Sequence, residues 1–326
     1  MTSRLSLALA GDAVALPERR ILVLRPPADA WLSDLPGTPV AVQGFKPDHD
    51  ALAARGFEVV PEAGGTADAA VVFLSRAKAL SLASIAEACA AVPEGATVVV
   101  DGQKTDGVDS VLRQCRKMFE VGEVFSKAHG KTFSFPAKAA PADWSPPPAR
   151  VAGFVTRAGV FSADGIDRGS ALLADHVGGL SGRVCDLGAG WGYLSAQVLA
   201  SADVRECTLV EAEHAALACA RENVTDPRAR FVWADATSWT GGPFDAVVSN
   251  PPFHTARRAD PALGRAFIVA AARLLAPRGR LLMVANRHLP YEETLKEYFA
   301  TIQVLDDRDG FKVIAANTTK RQRGRA

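Results

Sequence analysis

Val184 to Gly192 reads VCDLGAGWG. An apolar, β-branched run passes into Asp186-x-Gly188-x-Gly190-x-Gly192, and a helix-like stretch, YLSAQVLASA, follows. Glycines after a strand let the backbone turn tightly and let a ligand approach it closely. A bare glycine loop does not say which ligand, because dinucleotide sites use one too. Asp186 discriminates. A carboxylate inside the loop repels a pyrophosphate, which seeks helix N–H groups free of a nearby anion. It suits a ligand with a cationic centre or an amine, such as S-adenosylmethionine.

Outward from this loop the second half of the chain alternates strand-like and helix-like stretches. ECTLVEAE, RFVWADA, FDAVVSNPP, RLLMVAN and GFKVIAANTT read as strands; HAALACARENV, GRAFIVAAARLLA and YEETLKEYF read as helices. Glu211 ends the second strand, where an acid can accept hydrogen bonds from both ribose hydroxyls. Asp235, followed by Ala236, ends the third, where a carboxylate can meet an adenine amino group. Asn250 ends the fourth. Taken singly, each acid reads as a helix cap or a solvated loop residue. As an ordered set at the carboxyl ends of successive strands, they describe an S-adenosylmethionine site, since open α/β sheets bind ligands at that edge.

The fourth strand runs into Asn250-Pro251-Pro252-Phe253. Prolines end a strand because they cannot donate to its ladder. Alone, the four residues read as a plain turn. Beside a methyl donor they read as a catalytic corner. The Asn250 side-chain oxygen and the Pro251 carbonyl can each accept one N–H of a conjugated amine, aiming its lone pair at the methyl. Phe253 can stack on the ring that bears the amine, worth ~1–3 kcal/mol for a base. The amine loses its proton after the new bond forms, so the work is proximity and orientation. His254 invites the role of a base, but a histidine so placed more often packs or bonds locally. Arg257 and Arg258 follow, and Lys320, Arg321, Arg323 and Arg325 end the chain. They are either a solvated face and tail or contacts to RNA phosphates. Trp191 and Trp233 read as walls of the cofactor pocket or as core.

The first half repeats the rhythm: RILVLRPP, EVVP, AAVVFL and TVVVDG as strands; HDALAARG, SLASIAEACAAV and VDSVLRQCRKMF as helices. The proline-dense FPAKAAPADWSPPPAR (Phe135 to Arg150) reads as a linker between halves. The fold class expected is therefore α/β, with two domains of mostly parallel sheet whose shared rhythm suggests copies of one fold.

The rest of the composition narrows the class. The 326 residues suffice for two domains, and 48% hydrophobic content supplies real cores. A net charge of +1 gives no global field for nucleic acid, although it does not speak to a local basic face. The five cysteines show no Cys-x-x-Cys spacing, so neither a zinc site nor a disulfide framework is indicated, and a reducing cytoplasm fits. No apolar run approaches the ~20 residues of a membrane span. Near the N-terminus, Leu5 to Ala10 is shorter than the roughly 7–15 apolar residues of a secretory signal, so it is read as part of the protein.

Asp-x-Gly-x-Gly with a downstream Asn-Pro-Pro-Phe-His resembles the class I N-methyltransferases, and most closely the small-subunit ribosomal RNA methyltransferase C family. The resemblance spans nearly the whole chain. AGVFSADGIDRGSALL (Ala158 to Leu173) is similar to the family's lead-in, which closes over the methionine end of the cofactor. SNPPFH (Ser249 to His254) is similar to its catalytic loop. LLMVANRHLPYEETLKEYF and DGFKVIAANTTKR resemble its closing strands, and FSKAHGKTFSF the end of its N-terminal domain.

The resemblance implies two Rossmann-like class I methyltransferase domains. The first, 1–140, is a degenerate copy without cofactor, the linker is 141–150, and the catalytic domain is 151–326. Arg25, Pro26, Pro27 and Ala28 stand in the first where glycines would cradle the ligand. It also implies the reaction: methylation, by S-adenosylmethionine, of the 2-amino group of a guanine in 16S rRNA within the assembled 30S particle, in the cytoplasm, with no metal and no membrane. On this reading Asn250, Pro251, Pro252 and Phe253 are catalytic. Asp186, Gly188, Gly190, Glu211, Asp235, Ala236 and Asn250 hold the cofactor, and Arg257 and Arg258 hold RNA. Methylation of another rRNA guanine, methylation of a protein glutamine, and a non-catalytic RNA-binding assembly factor remain open alternatives.

Overall fold

The structure, a computed structural model, describes residues 3–252 and 261–319. The chain forms two compact units, Met1–Pro148 and Ala149–Ala326.

In the first unit the elements run α1 (Arg4–Ala10), β1 (Arg20–Leu24), β2 (Thr38–Val42), α2 (Lys46–Ala54), β3 (Glu58–Val60), β4 (Ala69–Phe73), α3 (Lys78–Ala91), β5 (Thr97–Gln103), α4 (Val108–Met118), β6 (Val124–Lys127) and β7 (Gly130–Pro136). Its sheet has the order β3-β2-β1-β4-β5-β7-β6, with β7 antiparallel to both β5 and β6 and the other pairs parallel. Parallel strands are covered on both faces. That is why RILVL and AAVVF are continuous apolar runs, nearly every residue of which is buried.

The second unit opens with a small antiparallel pair, β8 (Ala149–Val151) and β9 (Phe154–Thr156). It continues α5 (Arg168–Ala174), β10 (Gly182–Leu187), α6 (Tyr193–Leu199), β11 (Val204–Glu211), α7 (His214–Asn223), β12 (Ala229–Trp233), β13 (Phe244–Ser249), α8 (Pro261–Leu274), β14 (Leu275–Asn286), α9 (Glu292–Tyr298), β15 (Phe299–Arg308) and β16 (Phe311–Thr319). The sheet order is β12-β11-β10-β13-β14-β16-β15. Substituting element for element gives the order of the first unit, so the chain carries one topology twice. The expected α/β class with two mostly parallel sheets holds.

The two copies diverge where β1 and β10 end. Leu24 pairs with Val42 in the first unit and Leu187 with Val210 in the second, so Arg25 is the counterpart of Gly188 and Gln43 of Glu211. Both turns need left-handed backbone, at φ 55° for Arg25 and 81° for Gly188. In the second unit the loop offers the Gly190 N–H to the Glu211 carboxylate at 2.7 Å. In the first unit Pro26 and Pro27 have no N–H to offer. There the buried Gln43 amide donates instead to the Pro26 carbonyl, at 2.7 Å.

Residues 5–10, read as part of the protein, belong to α1, which buries Leu5 and Ala8 in the core of the first unit; Arg4 grips Asp101 through Nε and a terminal nitrogen at 2.9 and 2.7 Å. Two sequence expectations change. The strands TPVAV and FATIQVLDDR were not anticipated. Pro39 is tolerated in β2 because pairing with β3 starts only at Val40. In β15, an edge strand, polar residues face outward and mask the apolar alternation.

The second change concerns the proline-rich stretch, which is not slack over its whole length. Phe135 lies in β7 and stacks on Phe119 at 4.2 Å, and Pro136 closes that strand. Trp144 is 5% exposed and meets the Phe119 ring edge-on at 5.8 Å. Proline density ends regular structure, but a buried indole still drives packing. Trp144→Ala is therefore expected to lower the stability of the first unit by about 3 kcal/mol in urea unfolding of the full chain. A tether would lose nothing measurable.

Candidate functional site

The site lies at the carboxyl edge of the second sheet, where the glycine loop after β10, the segment before α5 and the end of β13 meet. Together they line a small solvent-open cleft, with Phe161, Asp167, Ser170, Gly188, Gly190 and Asn250 among its walls. The loop turns through three left-handed glycines, φ 81° at Gly188, 56° at Gly190 and 91° at Gly192, a conformation that side chains resist. A Cβ on Gly188 would meet the Phe267 ring at 3.1 Å, whereas one on Gly190 would meet no atom within 4 Å. The loop is thus packed from below and open above, toward the cleft.

Asp186 is placed beneath the loop. It is fully buried; one oxygen accepts from the Ser195 hydroxyl at 2.6 Å and the other, Oδ1, has no protein partner. Burial, reinforced by the nearby Glu211 carboxylate, pushes its pKa up from 3.8 to about 7 against the Ser195 hydrogen bond. In the structure Asp186 lies beneath the loop, where little water can screen whatever charge it carries.

Glu211 accepts the Gly190 N–H through Oε2 at 2.7 Å and the Glu213 N–H through Oε1 at 2.8 Å, and burial raises its pKa. Each oxygen keeps a further lone pair. Asp235 is two strands away on the same edge and caps its own turn, accepting from the Thr237 N–H and hydroxyl at 2.8 and 2.7 Å. Ala236 is buried in the core behind it. Trp191 both lines the cleft and packs against Phe154, its indole N–H donating to the Phe161 carbonyl at 2.9 Å. Trp233 donates to the Ala212 carbonyl at 2.8 Å.

Asn250 has the most defined environment. Ser249 ties β13 to β10 by donating to the Leu187 carbonyl at 2.7 Å, which seats Asn250 next to Gly188. The Asn250 Nδ2 donates to Asp167 Oδ2 and to Ser170 Oγ, both at 2.8 Å. Its Oδ1 is buried and has no protein partner. Leaving such an acceptor unmet costs about 1–3 kcal/mol, and a donor arriving in the cleft would recover it. Pro251 is buried and Pro252 exposed. Phe253, His254, Arg257 and Arg258 lie outside the described residues, as do Lys320, Arg321, Arg323 and Arg325.

The structure therefore brings Gly188, Gly190 and Asn250 to one cleft, with Asp186 below it and Glu211 bonded to its loop. Asp235 and Ala236 stand further along the edge. Individual roles for Phe161, Asp167 and Ser170 were not read from the sequence. The family lead-in covers all three, but the local signal, Asp167-x-x-Ser170, is only a helix-cap pattern.

The residues fit S-adenosylmethionine by their own chemistry. Two buried oxygens, Asp186 Oδ1 and Asn250 Oδ1, lack partners. The Gly190 face is open where a side chain would block it, and acids stand ready for an ammonium group and for hydroxyls.

A parallel sheet with a glycine loop after its first strand, an acid ending its second and Asn-Pro-Pro ending its fourth defines a class I methyltransferase. Residues 152–315 match the family model Methyltransferase small domain, and residues 7–146 match Methyltransferase small domain N-terminal. The chain belongs to the ribosomal RNA small subunit methyltransferase C family. It is 30% identical over 264 residues to the Shewanella loihica protein of that name, covering 77% of each chain. To the Hahella chejuensis protein it is 28% identical over 326 residues, covering 91% of this chain and 94% of that one. Among solved structures it is similar to the T. thermophilus 16S rRNA N2 G1207 methyltransferase in complex with AdoMet and guanosine. The TM-score is 0.78 at 25% identity, over 95% of this chain and 91% of that one. No helix among the described residues is long and apolar enough to cross a membrane.

Proposed function

We propose that this chain transfers a methyl group from S-adenosylmethionine to the exocyclic 2-amino group of a guanine in 16S rRNA. One observation carries the chemistry: Asn250, which lines a cleft beside an open glycine loop, holds a buried acceptor, Oδ1, with no protein partner. The choice of guanine in rRNA comes from the family, whose named members act on the small-subunit RNA.

In this reading Gly188 and Gly190 let the cofactor lie against backbone. The buried Asp186 charge favours its ammonium end, Glu211 takes the ribose hydroxyls, and Asp235 with Ala236 borders the adenine. When bound, S-adenosylmethionine supplies a methyl group already activated on a sulfonium. The protein's task is to hold the acceptor. Asn250 Oδ1 accepts one N–H of the amine and the Pro251 carbonyl the other, which directs the nitrogen lone pair. Phe253 stacks on the base, and Arg257 and Arg258 hold flanking phosphates. The amine proton leaves after the bond forms, so orientation rather than a strong base sets the rate.

The catalytic domain, 151–326, lies within the second unit, and the degenerate copy, 1–140, within the first, where Arg25, Pro26 and Pro27 replace the cradle and Gln43 seals it. Residues 141–150 lie between them, with Trp144 packed on the first unit. The assembled 30S subunit is the substrate, and ribosomal RNA sets the cytoplasm as the working compartment.

The test uses labelled S-adenosylmethionine, the full-length protein, and either 30S subunits or free 16S rRNA from a strain lacking the gene. The expected product is N2-methylguanosine at one position, formed on 30S. Label in a protein glutamine, or none in RNA, would overturn the reading.

A further inference from the structure

We infer that Asp167 and Ser170 are positioning residues: they decide which end of the Asn250 amide faces the cleft, and so which chemical group the site accepts. The inference rests on the function proposed above and deepens it.

An asparagine side chain has two nearly isosteric ends, one a double donor and one an acceptor. A bare Asn-Pro-Pro turn does not specify which end meets the substrate. Here both Nδ2 hydrogens are taken, one by Asp167 Oδ2 and one by Ser170 Oγ, each at 2.8 Å. Asp167 Oδ2 accepts both here and from the Ser170 N–H, so that carboxylate serves as an acceptor. Turning the amide over would place a carbonyl oxygen against that carboxylate and forfeit a charge-assisted hydrogen bond. The acceptor end is left buried and unpartnered on a residue that lines the cleft, as the group available to an arriving donor.

Asp167 is itself held firmly. It is the N-cap of α5, and the same Oδ2 accepts the Ser170 N–H at 2.8 Å. Gly169 leaves it room: a Cβ there would come within 3.0 Å of Oδ2 and 3.2 Å of the Phe311 ring. A site that shows only an acceptor admits an N–H-bearing group and disfavours a carbonyl oxygen. On guanine that selects the amino edge over O6.

The test replaces Asp167 by asparagine, a nearly isosteric residue and an equally good helix cap, which can donate as well as accept. Asp167→Asn frees the Asn250 amide to turn. The expected result is a 10- to 100-fold fall in single-turnover methyl transfer, with the Kd for S-adenosylhomocysteine and the melting temperature essentially unchanged. Ser170→Ala should lower transfer less. In the Asn250→Ala background Asp167→Asn should have no further effect, because a residue that acts through another loses its effect when that partner is gone.

A readout independent of turnover is the Asn250 side-chain NH2 signal in protein labelled with 15N-asparagine, assigned by its loss in Asn250→Ala. It should exchange with solvent at least tenfold more slowly in the wild type than in Asp167→Asn. A rise in the Kd for S-adenosylhomocysteine would make Asp167 a cofactor ligand and overturn the inference. So would additive effects in the double variant, or equal exchange rates. If the wild type methylates no RNA yet the amide is protected as described, the proposed function fails and the clamp stands.

Discussion

Asn250→Ala should reduce methyl transfer at least 100-fold while leaving S-adenosylmethionine affinity within about threefold, a loss of roughly 3 kcal/mol confined to the transition state. The side chain reaches the cleft with one function still available, its Oδ1 acceptor. An amine conjugated to a purine ring is a weak nucleophile whose lone pair must be turned out of conjugation and toward the methyl, and an aligned acceptor does that. Removing it returns the amine to many unproductive orientations. Asn250 was also read as a cofactor contact, and the two roles separate experimentally. Single-turnover transfer at saturating cofactor reports positioning, and calorimetric titration with S-adenosylmethionine reports binding. A variant that binds the cofactor more weakly by the same factor as it slows would make Asn250 a cofactor ligand first. One that keeps full turnover would make the Asn-Pro-Pro corner structural.

What the sequence disclosed and what it hid follow from the range of the interactions involved. The glycine loop, Glu211 and the Asn-Pro-Pro corner are legible because strand, turn and helix signals are local, and a parallel sheet then delivers every strand end to one edge. The strand-helix rhythm likewise disclosed two α/β units. What stayed hidden is set across long stretches of chain. Asp167 and Asn250 are 83 residues apart, and nothing local to either says that they touch. Arg25 read simply as the wrong residue for a cradle. The structure adds that it takes the left-handed turn of Gly188 and that Gln43 has changed from acceptor to donor to suit the prolines. β2 was hidden by Pro39, β15 by its outward polar face, and the burial of Trp144 by the prolines around it. In each case a local signal was overruled by pairing or packing with distant residues. The depth of Asp186 stayed hidden for the same reason, since it depends on α6 folding back over it through Ser195.

That depth leads to the second large effect. A carboxyl raised to about 7 in the folded chain, against 3.8 in the unfolded, binds more protons when folded between those limits. Stability from this group therefore falls as pH rises from about 4 to about 7. Above 7 the buried charge is carried in full, a penalty of at most about 4 kcal/mol, at 1.36 kcal/mol per unit. Asp186→Asn cannot ionise, so it should lose this component of the pH dependence. The stability difference between wild type and variant should shift in the variant's favour from pH 5 to pH 8 in urea unfolding. Function should move the other way. If the charge beneath the loop serves the ammonium end of S-adenosylmethionine, ligand binding favours the ionised carboxylate and expels its proton. At pH 6 calorimetry in buffers of different ionisation enthalpy should find proton release approaching one per cofactor bound, falling toward zero by pH 8.5. Wild-type affinity should rise across the same interval. Asp186→Asn should bind at least tenfold more weakly at pH 8 and show no such release. Wild-type affinity and proton release that do not vary with pH would mean that Asp186 is bonded to Ser195 for the sake of the loop alone, and that the cofactor's positive end is met by another group.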